Sequence, residues 1–112
     1  MSKKKLTRPK SILIGPHTFT IEWSDTIDDC GTMAGHDLAI QVSSKLPASL
    51  AKETLLHEIL HAILYLNGNV EEPLDEERIV QGLGAGLLAV FSENPVVVDY
   101  LTGTLSRSSG PA

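Results

Sequence analysis

Hydrophobic and polar positions follow two different rhythms along this chain. In the first half they alternate. Ser11-Ile12-Leu13-Ile14 and Thr18-Phe19-Thr20-Ile21-Glu22-Trp23 read as strands, and Gly15-Pro16-His17 between them predicts a hairpin turn. Leu38-Ala39-Ile40-Gln41-Val42 predicts a third strand, with Leu38, Ile40 and Val42 on one face. The stretch from Ser24 to Gly35 is polar, carries aspartates and two glycines, and reads as a loop.

In the second half the apolar spacing becomes helical. Ala48 to Leu66 contains neither glycine nor proline. Pro47 can open the helix, with Ser43 or Ser44 as a cap, and Asn67-Gly68-Asn69 supplies a left-handed stop. Leu56, Ile59, Leu60, Ile63 and Leu64 make a broad apolar surface, so a central and largely buried helix is expected. A second helix is expected from Glu72-Pro73-Leu74-Asp75 to about Phe91, carrying Ile79, Val80, Leu83, Leu87, Leu88 and Val90. Gly82, Gly84 and Gly86 lower its propensity but allow close packing against another helix. Asn94-Pro95 can cap a last short helix reaching Leu101. Strands followed by helices predict the α+β class: a small N-terminal antiparallel sheet, the long helix, and a returning antiparallel helix.

Composition narrows the range of functions. The 112 residues suit one domain, expected over residues 11–105, between a flexible basic tail (residues 1–10) and a second flexible tail (residues 106–112). A net charge of −5 argues against nucleic acid as the main partner. No apolar run approaches the roughly 18 residues of a membrane span, and no signal-peptide core follows the basic start. A single cysteine, Cys30, excludes an internal disulfide and suits a reducing cytoplasm. The sequence sets no oligomeric state.

Chemistry concentrates in His57-Glu58-Ile59-Leu60-His61, an H-E-x-x-H motif. On a helix, residues four apart share a face, so both imidazoles can reach one metal ion while Glu58 stands beside it. Zinc is the expected ion, because two imidazoles, a carboxylate and a water form its usual open site. The same residues could instead be two core histidines hydrogen-bonded to backbone or carboxylate.

Zinc needs a third protein ligand. Candidates are Glu71, Glu72, Asp75, Glu76 and Glu77 downstream and His36 upstream. The first helix runs about 9 Å beyond His61, and a returning helix reaches Glu77 about 6 Å after Pro73. Glu76 and Glu77 are therefore level with the motif, whereas Glu71 and Glu72 belong to the turn. Val80, Gly84, Leu87 and Leu88 share a face with Glu77. That phase favours Glu77, and Glu76, followed by Val80, Leu83 and Leu87, stays open. His36 and His17 fall in turns, and Cys30, in a loop between Asp29 and Gly31, is a candidate ligand or redox handle that reads first as an ordinary free thiol.

Thr54-Leu55-Leu56-His57-Glu58-Ile59-Leu60-His61-Ala62 resembles the active-site helix of the zincin metallopeptidases. Glu77-Arg78-Ile79-Val80, followed by Leu83 and Gly84, is similar to the glutamate-bearing helix of their glutamate-ligand branch. Size, layout and the segment Ser92-Glu93-Asn94-Pro95 resemble small phage- and prophage-encoded metallopeptidases related to the ImmA/IrrE type. The resemblance covers roughly residues 38–100. It implies zinc held by His57, His61 and Glu77, and a metal-bound water for which Glu58 is the general base. It also implies a peptide or protein substrate, which could pair with an edge strand around Leu38–Val42. Leu60 stands where many relatives have glycine, and no second substrate-binding lobe follows the zinc helices. Tyr65 and His36 are the candidates for oxyanion stabilisation. The rival readings are a non-catalytic zinc-stabilised binding or adaptor protein and a metal-free helical interaction module.

Overall fold

A computed structural model describes residues 7–68 and 73–103. It is α+β: a four-stranded N-terminal sheet followed by three helices. The strands are β1 (Ser11–Ile14), β2 (His17–Ser24), β3 (Gly31–Ala34) and β4 (Ala39–Ser43), and the helices are α1 (Ala48–Asn67), α2 (Pro73–Glu93) and α3 (Pro95–Thr102).

Alternation in β2 and β4 builds the core. Phe19 and Ile21 of β2 and Ile40 and Val42 of β4 are buried on one face. Removing side chains of this size from water contributes roughly 1.5–3 kcal/mol each. On the opposite, open face the intervening positions form a polar row across three strands. Gln41 Nε2 donates to Glu22 Oε1 at 2.8 Å and Thr32 Oγ1 donates to Gln41 Oε1 at 3.3 Å. β1 and β2 form the expected hairpin, in which Gly15 turns the chain at φ 59°.

Three sequence expectations need correction here. The sheet is mixed: its order is β1-β2-β4-β3, and β2 runs parallel to β4. The polar stretch read as a loop contains β3, which pairs antiparallel with β4 on its outer side. Residues 25–30 carry the chain past the place where β4 will lie, so β4 inserts between two strands formed before it. Leu38 belongs to the β3–β4 turn and not to a strand; its φ is 51° and its amide bonds the Gly35 carbonyl at 3.1 Å.

α1 covers the apolar face of the sheet. Leu55, Ile59, Ala62 and Leu66, spaced at +4, +3 and +4, meet the sheet core. The buried positions of this helix are the small residues Ala51, Thr54 and Ala62, together with Glu58, rather than the large apolar residues. Small side chains let the helix approach the strands closely, while Leu56, Leu60, Ile63 and Leu64 remain half-buried at its flanks. Pro47 precedes the first turn without any side-chain cap, and Ser43 Oγ instead accepts from the Lys45 amide. Gly68 ends the helix at φ 61°, its amide bonded to the Leu64 carbonyl, as the left-handed stop requires.

α2 folds back onto α1, seating Val80 in full burial and Gly84 against Leu60, where a Cβ would stand 3.7 Å from Leu60 Cδ1. Ile79, Leu83 and Val90 of α2 are exposed, so this helix is not the evenly packed partner that its apolar spacing suggests. Asn94 precedes α3 but gives it no side-chain cap; its Nδ2 donates to the Val90 carbonyl. Residues 8–10, read as tail, are tied to the sheet. Trp23 Nε1 donates to the Pro9 carbonyl at 2.8 Å, the Arg8 guanidinium lies 4.7 Å from the Trp23 ring centroid, and the Ile21 amide bonds the Lys10 carbonyl. The tail expected over residues 106–112 lies outside the described residues.

Candidate metal centre

Helical phase separates the functions of neighbouring residues in α1. His57 and His61 lie one turn apart on the side facing α2, with ring centroids 4.9 Å apart and planes inclined at 63°. Glu58 follows His57 by about 100° of rotation and turns toward β3, where it is 8% exposed. The second turn of α2 then brings Glu77 between the two imidazoles. Its Oε2 lies 3.1 Å from His57 Nε2 and its Oε1 lies 2.9 Å from His61 Nε2.

One ligand atom from each of His57, His61 and Glu77 lies within 4.8 Å of the other two, which is close enough to hold a metal ion. A tetrahedral ion bound at about 2.0–2.1 Å sets its donors about 3.4 Å apart. The observed separations, 3.1 Å from Glu77 Oε2 and 2.9 Å from Glu77 Oε1, are shorter than that value by up to about half an ångström. Two imidazole nitrogens and one carboxylate oxygen also form a donor set suited to zinc with an open position. The residues therefore fit the ion.

Glu76 and Glu77 part company in the structure. Glu77 faces the Nε2 atoms of both histidines, whereas Glu76 Oε2 lies 2.6 Å from Nδ1 of His61, on the other edge of the ring. Asp75 points outward and is exposed, and Glu71 and Glu72 lie outside the described residues. His36 joins Tyr65 instead of the metal group: its Nδ1 lies 3.4 Å from the Tyr65 hydroxyl, and the rings meet edge to face. His17 begins β2 and is exposed. Neither Tyr65 nor His36 lines the cleft at the metal group, so the structure does not bring the expected oxyanion candidates to it.

That cleft has a volume of about 780 Å³ and lies between α1, α2 and the start of β3. Beside the metal group its walls include Asp29, Cys30, Gly31 and Met33 from the strand region and Glu53 and Thr54 from α1. Sequence reasoning weighed Cys30 as a ligand or redox handle and missed the others as site residues. Glu53 was within reach, standing four residues before His57 on the same helical face. Asp29, Gly31 and Met33 were not, because their position depends on a strand read as a loop.

Burial dominates the electrostatics of Glu58. It pushes the carboxyl pKa from 4.5 to about 7; His61 pulls it back, while the charges of Glu77 and Asp29 add to the rise. The Glu58 carboxylate accepts no hydrogen bond from any described residue. For His61, burial opposes the charged form, but the hydrogen bond to Glu76 and the fields of Glu58 and Glu77 outweigh it and raise the pKa above the ordinary histidine value. A carboxyl group that titrates near neutrality, in a cleft beside a metal-binding triad, is suited to taking up and releasing a proton. Comparison with known proteins adds no relative to this picture: no protein family, curated protein or solved structure matches the chain, and the reading of the centre rests on its own geometry.

Proposed function

We propose that this chain is a zinc-dependent peptide-bond hydrolase of the zincin type. The observation that carries the reading is Glu58. A site that used metal only to brace the fold has no need of a buried carboxylate at its side with no hydrogen-bond partner among the described residues, and burying one is costly. Zinc held by His57, His61 and Glu77 would supply Lewis acidity, acidifying a water and polarising a peptide carbonyl. Glu58 accepts the proton from the attacking water and passes it to the leaving amine.

The likeness of the motif helix to zincins supports the same reading. So does the sheet, with one change of strand. β4 lies between β2 and β3, so the free edge beside the cleft belongs to β3, whose Gly31 and Met33 line the cleft. An extended peptide would pair there, instead of along Leu38–Val42. The single free cysteine, Cys30, favours a cytoplasmic setting. No helix among the described residues is long and apolar enough to cross a membrane.

A second reading, a zinc-stabilised binding protein, draws on the large apolar side chains left exposed on α2 and α3, among them Leu83, Val96, Tyr100 and Leu101. Comparison of zinc-loaded wild type with Glu58→Gln on a mixture of proteome-derived peptides tests the choice. The hydrolase reading expects Glu58→Gln to keep one zinc per chain and its fold while losing about 10²–10⁴-fold in hydrolysis. Zinc-loaded wild type that cleaves nothing, or Glu58→Gln that cleaves normally, would leave the binding protein as the better account.

A further inference from the structure

Two consecutive glutamates grip one imidazole from both sides. Successive residues of a helix point about 100° apart, so Glu76 and Glu77 cannot both approach the same ring atom from α2. They straddle His61 instead, with Glu76 Oε2 at 2.6 Å from Nδ1 and Glu77 Oε1 at 2.9 Å from Nε2. His57 is held differently. Its Nε2 lies 3.1 Å from Glu77, and its Nδ1 has no hydrogen-bond or ion-pair partner among the described residues.

We propose that Glu76 is the positioning residue of the metal centre: its carboxylate accepts the Nδ1–H of His61, which fixes the ring's orientation and leaves Nε2 as the ligand atom. The proposal rests on the metal-binding part of the reading above and is independent of peptidase activity.

Acidic residues in a first helical turn commonly do no more than complement the helix dipole from solvent. Glu76 departs from that pattern, since its side chain is 23% exposed and makes a short, charge-assisted contact across to another helix. Nor is it a displaced ligand. To reach the Nε2 side of His61 it would have to pass the ring, where Glu77 already faces both histidines. A neutral imidazole carries one proton on one of its two nitrogens; with Glu77 engaged by the ion, the acceptor left to His61 would be Glu76 at Nδ1, which leaves Nε2 to offer its lone pair. A carboxylate there also raises the basicity of the ligating nitrogen. The centre is thus asymmetric: His61 is clamped by Glu76 as well as Glu77, whereas His57 meets Glu77 alone among the described residues and would otherwise be held only by the metal.

Zinc affinity of the full chain, measured in competition with a chelator dye, tests this together with nitrogen-15 and proton spectra of the histidine rings. Zinc-loaded wild type should show His61 as the Nδ1–H tautomer with a far-downfield Nδ1 proton. Glu76→Ala should weaken zinc binding by about 10–100-fold and lose that proton signal. Glu76→Gln, whose amide oxygen can still accept, should keep the tautomer, move the proton upfield, and lose less than tenfold. Glu77→Ala should lose stoichiometric zinc altogether. The proposal is overturned if Glu76→Ala binds within about twofold of wild type, if its His61 tautomer is unchanged, or if Glu76→Ala and Glu77→Ala lose zinc equally. It is also overturned if wild type takes up no zinc. Should Glu76→Ala fail to fold, Glu76→Gln decides: a moved proton signal with weakened zinc supports the clamp, and an unmoved signal with unchanged zinc overturns it. An intact clamp in a chain that hydrolyses nothing would count against the peptidase reading alone.

Discussion

Gly31 of β3 lies so close to Glu58 that a Cβ at position 31 would stand 3.2 Å from Glu58 Cγ, as well as 2.7 Å from Thr54 Cγ2 and 3.0 Å from the Gln41 carbonyl oxygen. The edge strand therefore rests directly on the helix turn that bears the proposed general base. Absence of a side chain at this one position lets the sheet form the wall behind Glu58.

Gly31→Ala should consequently destabilise the fold. Thr54 is buried and branched at Cβ, and the carbonyl belongs to the central strand, so neither can yield easily. Overpacking of this kind costs about 1–3 kcal/mol, and the proposed hydrolase activity should fall with it as Glu58 is displaced. Gly82→Ala is the matched control: position 82 is inside α2, with nothing within 4 Å of an added Cβ. Alanine there should stabilise by about 0.5–1 kcal/mol through helix propensity. Urea unfolding midpoints of the two variants should move in opposite directions. If both move together, packing at Gly31 is not the cause.

The stability of the metal-free chain should fall as pH rises toward neutrality. Glu58 holds its proton up to about pH 7 in the fold but only to about 4.5 when unfolded. Between those values the folded chain binds more protons, so stability from this group is full below pH 4.5 and is lost as pH climbs through 7. The shift corresponds to at most about 3 kcal/mol. The raised pKa of His61 acts in the same direction, contributing below its unfolded value and fading as pH passes its folded one. Thermal unfolding between pH 5 and 8, with chelator present, should show a falling midpoint, and Glu58→Gln should flatten that slope. A midpoint in wild type that rises over this range would contradict the assigned burial of Glu58.

How much of this could be read from residues alone differs from element to element. α1 was legible because it is long, free of glycine and stopped at Gly68; its phase alone placed His57 and His61 together. β3 was not, because Gly31-Thr32-Met33-Ala34 is short and lacks strong alternation, and it becomes a strand only through pairing with β4. The parallel β2–β4 pairing depends on the route of residues 25–30, which no local pattern encodes. Leu38 shows the same limit: its apolar side chain fits a strand pattern, but the turn holds its backbone at positive φ. At the centre, helical phase favoured Glu77 only narrowly over Glu76, since both have apolar followers. The distinction lay in which edge of the His61 ring each one meets, a relation between two helices that neither segment carries by itself.

Metal removal should separate the ligands from the surrounding charges. A ligand that binds only the folded chain stabilises it by about 2.7 kcal/mol at a hundred times its Kd, so chelation should lower the unfolding midpoint of wild type. Glu77→Ala and His57→Ala should lose that response. Glu77 has a half-exposed side chain, so its contacts with the histidines contribute little in the metal-free state, under about 1 kcal/mol. Metal-free Glu77→Ala should therefore unfold close to metal-free wild type, and the gap between the two should open only when zinc is added. Calorimetric scans of both chains, with zinc and with chelator, make the comparison directly. Wild type that unfolds at the same temperature in both conditions would remove the metal from the account, and a large deficit in metal-free Glu77→Ala would make Glu77 a structural residue before it is a ligand.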